Sequence, residues 1–343
     1  MDADIAWVLL QDGVVNGAIY ALLALSLVLV FAVTRVIFIP QGEFVAYGAL
    51  TYAALDERRV PGSVWLLAAL GAGACAAGLW SLRRAMGRGA VVRLLAETVA
   101  VPALVVAATV LMAPRAIGVT AEAALTLAIV APMAGYLQRI AFEPLRDASV
   151  LTLLIAAIGA HLALMGLGLV LFGPEGFRAA GFSSAVLSVG TLAIPGQAAW
   201  IVAVSAGTMA ALFVFFEATL AGKALRATAV NPLGARLVGI ATNVSGRIAF
   251  LLAGLVGALS GVLIAPLTTV YYDSGFLIGL KGFVAAIVGG LASYPAAAAA
   301  AILVGVVESF SSFWASAFKE VIVFAVIVPV LLLRSLRSPA GEE

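Results

Sequence analysis

Residues 5–33 read IAWVLLQDGVVNGAIYALLALSLVLVFAV, an apolar run long enough to cross a bilayer as one helix. Runs of the same kind recur along the chain. Eleven segments stand out, at 5–33, 41–55, 62–82, 91–113, 117–138, 150–172, 198–217, 248–271, 281–291, 295–313 and 319–334. Segments 41–55 and 281–291 are short, which fits half-helices or re-entrant pieces shielded by neighbours. The expected fold is all-α, a polytopic membrane helix bundle of about 9–11 transmembrane or re-entrant segments, in one transmembrane domain over residues 1–343.

Composition agrees. Hydrophobic residues make up 64% of the 343 and charged residues only 10%. A soluble domain carries roughly 25% charged residues, so this chain's surface must face lipid. The net charge of +2 is too small to point to nucleic acid. One cysteine (Cys75) and one histidine (His161) form no metal-ligand pattern, and Cys75 reads as helix packing. The start, Met1-Asp2-Ala3-Asp4, is acidic where a secretory signal is basic, so 5–33 is expected to remain as the first membrane helix.

Basic residues favour the cytoplasmic side of membrane proteins. With the N-terminus outside and every segment crossing once, thirteen of the 19 basic residues fall inside, including Arg83, Arg84, Arg139, Arg146, Arg226 and Arg236. The opposite orientation reverses the ratio. The expected topology is therefore N-terminus periplasmic and C-terminus cytoplasmic.

The most polar inside stretch is 221–247. Within it, Asn231 is a good N-cap, Pro232 suits a first helical turn, and Gly239 can supply a left-handed stop. A helix of about two turns results, with Leu233, Leu237 and Val238 on one side. Two readings stand: docking into a partner's groove, or lying on lipid.

The pattern Gly222-x-Ala224-x-Arg226-Ala227, then Asn231-Pro232, then Leu237-x-Gly239-Ile240, resembles the ATPase-coupling loop of branched-chain amino acid ABC importer permeases, most closely their smaller permease subunit. Other stretches agree in order: Asn16 to Leu25, Phe142-Glu143-Pro144-Leu145-Arg146, Ile155 to Gly159, Phe172-Gly173-Pro174-Glu175, Gly279 to Phe283, Gly289 to Pro295, Gly305 to Glu308, and Phe318-Lys319-Glu320. The resemblance spans about four fifths of the chain. It implies a permease in the bacterial inner membrane, paired with an identical or different permease. It implies two cytoplasmic ATPase subunits that bind ATP and Mg, leaving this chain without a cofactor, and a periplasmic binding protein that delivers substrate. The implied coupling residues are Gly222, Arg226, Ala227, Asn231, Pro232 and Gly239.

The chain departs from the family in two ways. Where the family has Asn-Phe-Ala-His-Gly-Glu, this sequence has Phe38-Ile39-Pro40-Gln41-Gly42-Glu43, and His161, Met165 and Gly166 are also unusual. These changes bear on which amino acid or amide is carried. Segments 62–82 and 91–113 together are an added helix pair.

Polar groups within membrane segments are costly and mark function. Candidate pathway residues are Gln41, Gly42, Glu43, His161, Lys281, Gly289 and Gly290. Each has a plainer alternative. Glu43 can face interfacial water, His161 can be a packed structural histidine, Lys281 can anchor at headgroups, and Gly289-Gly290 can make an ordinary turn. Arg93 and Glu97 read as an i, i+4 ion pair, and Glu308 as a structural bond between helices.

No phosphate-binding loop of the Gly-x-x-x-x-Gly-Lys-Ser/Thr type occurs, so a transport subunit rather than an enzyme is expected. The rival is a stand-alone secondary transporter, which calls for inverted repeats and mid-depth carboxylates. An intramembrane enzyme would need paired catalytic groups, and His161 stands alone.

Overall fold

A computed structural model describes residues 3–82, 88–183, 185–189, 192–291 and 293–337. Arg83, Arg84 and Ala292, used in the sequence argument, lie outside the described residues. The elements run α1 (Ala3–Thr34), α2 (Gln41–Asp56), α3 (Ser63–Leu82), α4 (Arg88–Leu95), α5 (Val101–Met112), α6 (Val119–Leu137), α7 (Val150–Phe172), strands β1 (Val186–Val189) and β2 (Leu192–Pro195), α8 (Gly196–Ala218), α9 (Leu220–Val230), α10 (Pro232–Leu237), α11 (Thr242–Ile264), α12 (Ser274–Gly289), α13 (Tyr294–Trp314), α14 (Lys319–Ala325) and α15 (Ile327–Arg337). Among the described residues, eight helical stretches are long and apolar enough to cross a membrane, and α12 is a shorter apolar helix. The chain is an all-α polytopic bundle, as expected, with one antiparallel hairpin added in the loop after α7.

All eleven expected segments fall on helices. Two begin earlier than expected. The segment placed at 248–271 is helical from Thr242 to Ile264, because Asn243, Ser245 and Arg247 form a polar opening to an apolar helix. The segment placed at 281–291 starts at Ser274, so Lys281 is inside a helix and not in the loop before one.

Segments 62–82 and 91–113 are helical, as α3 and the stretch 88–112. The latter holds a π-turn at Ala96–Ala100. Its cause is Pro102, which cannot donate to the Thr98 carbonyl. That carbonyl turns toward Gly71 of α3, where a Cβ would lie 2.6 Å away.

Contacts divide the chain into two compact units, one of residues 1–28, 183–210 and 280–343, the other of 29–182 and 211–279. In the second unit the core is α2, buried along residues 41–55. At about 1.5 Å per residue its 16 residues reach about 24 Å, short of the roughly 30 Å hydrocarbon layer. Close backbone approach permits this burial. A Cβ on Gly42 would meet the Gly275 carbonyl oxygen at 2.0 Å, and one on Gly261 would meet that of Val45 at 2.2 Å. Phe38 packs in an aromatic cluster with Phe44, Phe142 and Phe250, its ring centroid 4.7 Å from that of Phe250. In the first unit α1 and α13 approach as closely, with Gly13 and Gly17 against the backbone of Gly305.

Candidate functional site

Between α8 and α11 the chain forms a polar elbow, and its local chemistry follows from its residues. Thr219 caps α9 by accepting from the Gly222 amide at 3.0 Å. Gly222 has no room for a side chain, since a Cβ would meet the Phe215 carbonyl oxygen at 2.2 Å. Asn231 Oδ1 accepts from the Gly234 amide at 2.9 Å, which caps α10, and Pro232 follows at its first position. Gly239 ends α10 with φ +87°, and the Ile240 amide reaches back to the Ala235 carbonyl at 2.9 Å. Arg226 pairs with Glu217 through both guanidinium nitrogens. Ala227 lies on α9, and its carbonyl accepts from the Asn231 amide at 3.0 Å.

The elbow leaves apolar surface uncovered. Leu233, Leu237 and Val238 are 68%, 80% and 77% exposed. Behind them, Thr228, Pro232, Arg236, Thr242 and Asn243 line a cavity of about 150 Å³ that reaches Arg35. Arg146 donates to Asn243 Oδ1 there at 2.9 Å.

The buried candidates Gln41, Glu43, His161 and Lys281 fall into two groups, one in each compact unit. In the unit built on α2, Glu43 and Gln41 are almost fully buried. Gln41 Nε2 donates to the Ala253 carbonyl at 3.0 Å, while its Oε1 has no partner. His161 Nδ1 stands 3.0 Å from Glu43 Oε1, at an angle outside hydrogen bonding, and neither Glu43 oxygen accepts a hydrogen bond. The Phe276 ring lies over His161 with centroids 4.9 Å apart. A buried carboxylate with open acceptor positions is equipped to receive a cationic or donor group. Gly42, beside it, holds α2 against the start of α12.

In the other unit Lys281 is buried, and its Nζ contacts Glu308 Oε1 at 2.5 Å and Glu320 at 3.2 Å. Tyr20 donates to the second Glu308 oxygen at 2.6 Å. Lys281 is thus tied to α13 and α14. Gly289 and Gly290 end α12. Gly290 has φ +93°, and a Cβ on Gly289 would sit 2.4 Å from Ala297.

The chain matches the family described as branched-chain amino acid transport system / permease component over residues 9–331. It belongs to that family. The high-affinity branched-chain amino acid transport system permease protein LivH of Salmonella typhimurium is 31% identical over 206 residues, covering 57% of this chain and 66% of the relative. LivH of Escherichia coli K12 is 30% identical over the same length. BraD of Pseudomonas aeruginosa is 30% identical over 216 residues, covering 60% of this chain and 70% of BraD. The chain thus spans just under two thirds of the length of the LivH relatives. No solved structure matches.

For this member of the permease family, sequence alone missed Tyr20, Glu320 and Phe276. Glu320 sits beside Lys319 in a quoted motif, which was a usable signal. Tyr20 lies in the quoted stretch Asn16 to Leu25, but helix packing and not spacing brings it to Glu308, as it brings Phe276 to His161.

Proposed function

We propose that this chain is the membrane-spanning permease subunit of an ATP-driven importer for branched-chain or related amino acids, or similar small polar solutes such as amides. The observation that carries the proposal is the apolar face of α10. A capped helix between two spans, with three large apolar side chains in water, calls for a protein groove to cover it. Two cytoplasmic ATPase subunits binding ATP and Mg supply the groove, and closure of their dimer pushes on Asn231–Gly239. A second permease completes the pathway, and a periplasmic binding protein delivers substrate. The N-terminus is periplasmic and the C-terminus cytoplasmic, which puts Arg226 and Arg236 of the elbow inside. Family membership and the inside bias of basic residues support this reading. Within the pathway, Glu43, Gln41 and His161 meet the substrate's polar groups.

The test is purification of the tagged chain from its native membrane, with nucleotide hydrolysis measured on the product. Hydrolysis should track the chain, and Leu233→Asp/Leu237→Asp should lower it at least tenfold while the permease stays monodisperse. Unchanged hydrolysis in the variant would overturn the assignment of α10. Uptake into vesicles that follows an ion gradient and ignores ATP would favour a secondary transporter instead.

A further inference from the structure

A cavity of about 420 Å³ lies among the stretch 88–112, α6 and α11, and transport gives it no role. Its lining divides by chemistry. One end holds Arg93, Arg139, Arg247 and Glu97, and the wall beyond includes Val101, Val244 and Leu251.

The charged end sits at one end of the bundle. Arg93 is five residues into the span that starts at Arg88, and Arg247 is five into α11. Arg139 follows α6 directly. Two spans begin there and one, Val119–Leu145, ends six residues after Arg139, so the three arginines stand within about 9 Å of the span ends, near headgroup depth.

The geometry there is built. Glu97 Oε1 accepts from Arg93 Nε at 2.8 Å, and its Oε2 is 3.3 Å from Arg247. Tyr136 donates to the Glu97 backbone carbonyl at 2.7 Å. Glu97 and Arg139 each stand on a π-turn, Ala96–Ala100 and Gln138–Phe142. Three arginines face Glu97, with Glu143 also near Arg139, so positive charge is in excess. Arg139 makes no hydrogen bond or ion pair among the described residues. The apolar wall is open sideways, with Val101, Val244 and Leu251 all exposed.

We propose that this groove between the stretch 88–112 and α11 binds an anionic phospholipid, its phosphate at Arg139 and its acyl chain along Val101 and Leu251. Charge selects an anion and the open apolar wall selects a tail. Inorganic phosphate has no tail, and a zwitterionic headgroup brings its own cation against the arginines. The site needs only that the chain spans a membrane, so it stands apart from the transport reading.

The experiment is native mass spectrometry of the full-length protein, delipidated in detergent and titrated with phosphatidylglycerol, phosphatidylcholine or inorganic phosphate. Phosphatidylglycerol should bind at least tenfold tighter than phosphatidylcholine. Arg139→Gln should weaken it about fivefold, the contribution of one surface arginine to anionic lipid. Arg115→Gln, at the far end of α5, should leave it unchanged. Should Arg139→Gln fold poorly, Val101→Trp on the exposed wall should weaken binding in its place. Equal affinity for the two lipids, no loss in either groove variant, the same loss in Arg115→Gln, or displacement of lipid by millimolar phosphate would each overturn the proposal.

Discussion

Two helices too short to span a bilayer, α2 and α10, have opposite surroundings. Fifteen of the 16 residues of α2 are buried, whereas α10 buries only Ala235 of its six. Both carry apolar residues, and their placement separates a structural role from an interactive one. The side chains of α2 are matched by neighbours already in the chain, so its energy is spent on the fold. Leu233 and Leu237 of α10 stay exposed among the described residues, so their energy is available to a partner. Changes in α2 should therefore act on folding, and changes in α10 on association.

The strongest way to break this contrast is Gly42→Leu. Its Cβ would overlap the Gly275 carbonyl, and backbone cannot yield as a side-chain tip can. Overpacking of this kind costs about 3 kcal/mol or more. Little monodisperse protein should survive solubilisation, as read by size-exclusion chromatography. A normal yield would show that the packing of α2 is looser than its burial implies.

The next effect concerns a buried charge. Glu308→Leu leaves Lys281 with Glu320 alone and removes the acceptor of Tyr20. Breaking a buried pair costs about 3–5 kcal/mol, while replacing both partners by apolar groups costs little. The thermal unfolding temperature of detergent-purified protein should fall sharply for Glu308→Leu and recover in Lys281→Leu/Glu308→Leu. Equal loss in the double variant would mean that stranding Glu320 and Tyr20, and not the unpaired lysine, carries the cost.

How much of this was legible in sequence follows from the range of each interaction. The membrane helices were legible because about twenty apolar residues in a row are a local signal. The elbow was legible for the same reason, since Asn231, Pro232 and Gly239 act within one turn of themselves. The start of α11 was not, because hydropathy weighs the polar residues of its first turns as loop, and that of α12 was not, because Gly275 and Gly279 are poor helix formers. Nor was the bond from Tyr20 to Glu308, which joins residues 288 apart. Gln41, Glu43 and His161 could be flagged as costly, but only packing brings His161 to Glu43. Where the family has an Asn, Phe38 turned out to be core, which no spacing rule foretells.

The smallest effect tests the elbow's local chemistry. Asn231→Ala removes the side-chain acceptor for the Gly234 amide and should cost the helix about 1 kcal/mol. That loss falls on a six-residue helix with one buried residue, so it should barely register in the melting of the whole protein. It should register in coupling. If α10 must be preformed to fill a groove, fraying it lowers the fraction able to dock by about fivefold, and nucleotide hydrolysis at limiting permease should drop by a similar factor. Asn231→Asp keeps an acceptor and should restore most of the activity. A drop in Asn231→Ala that Asn231→Asp does not reverse would mean that the asparagine touches the partner directly. The face of α10 that matters would then include its cap.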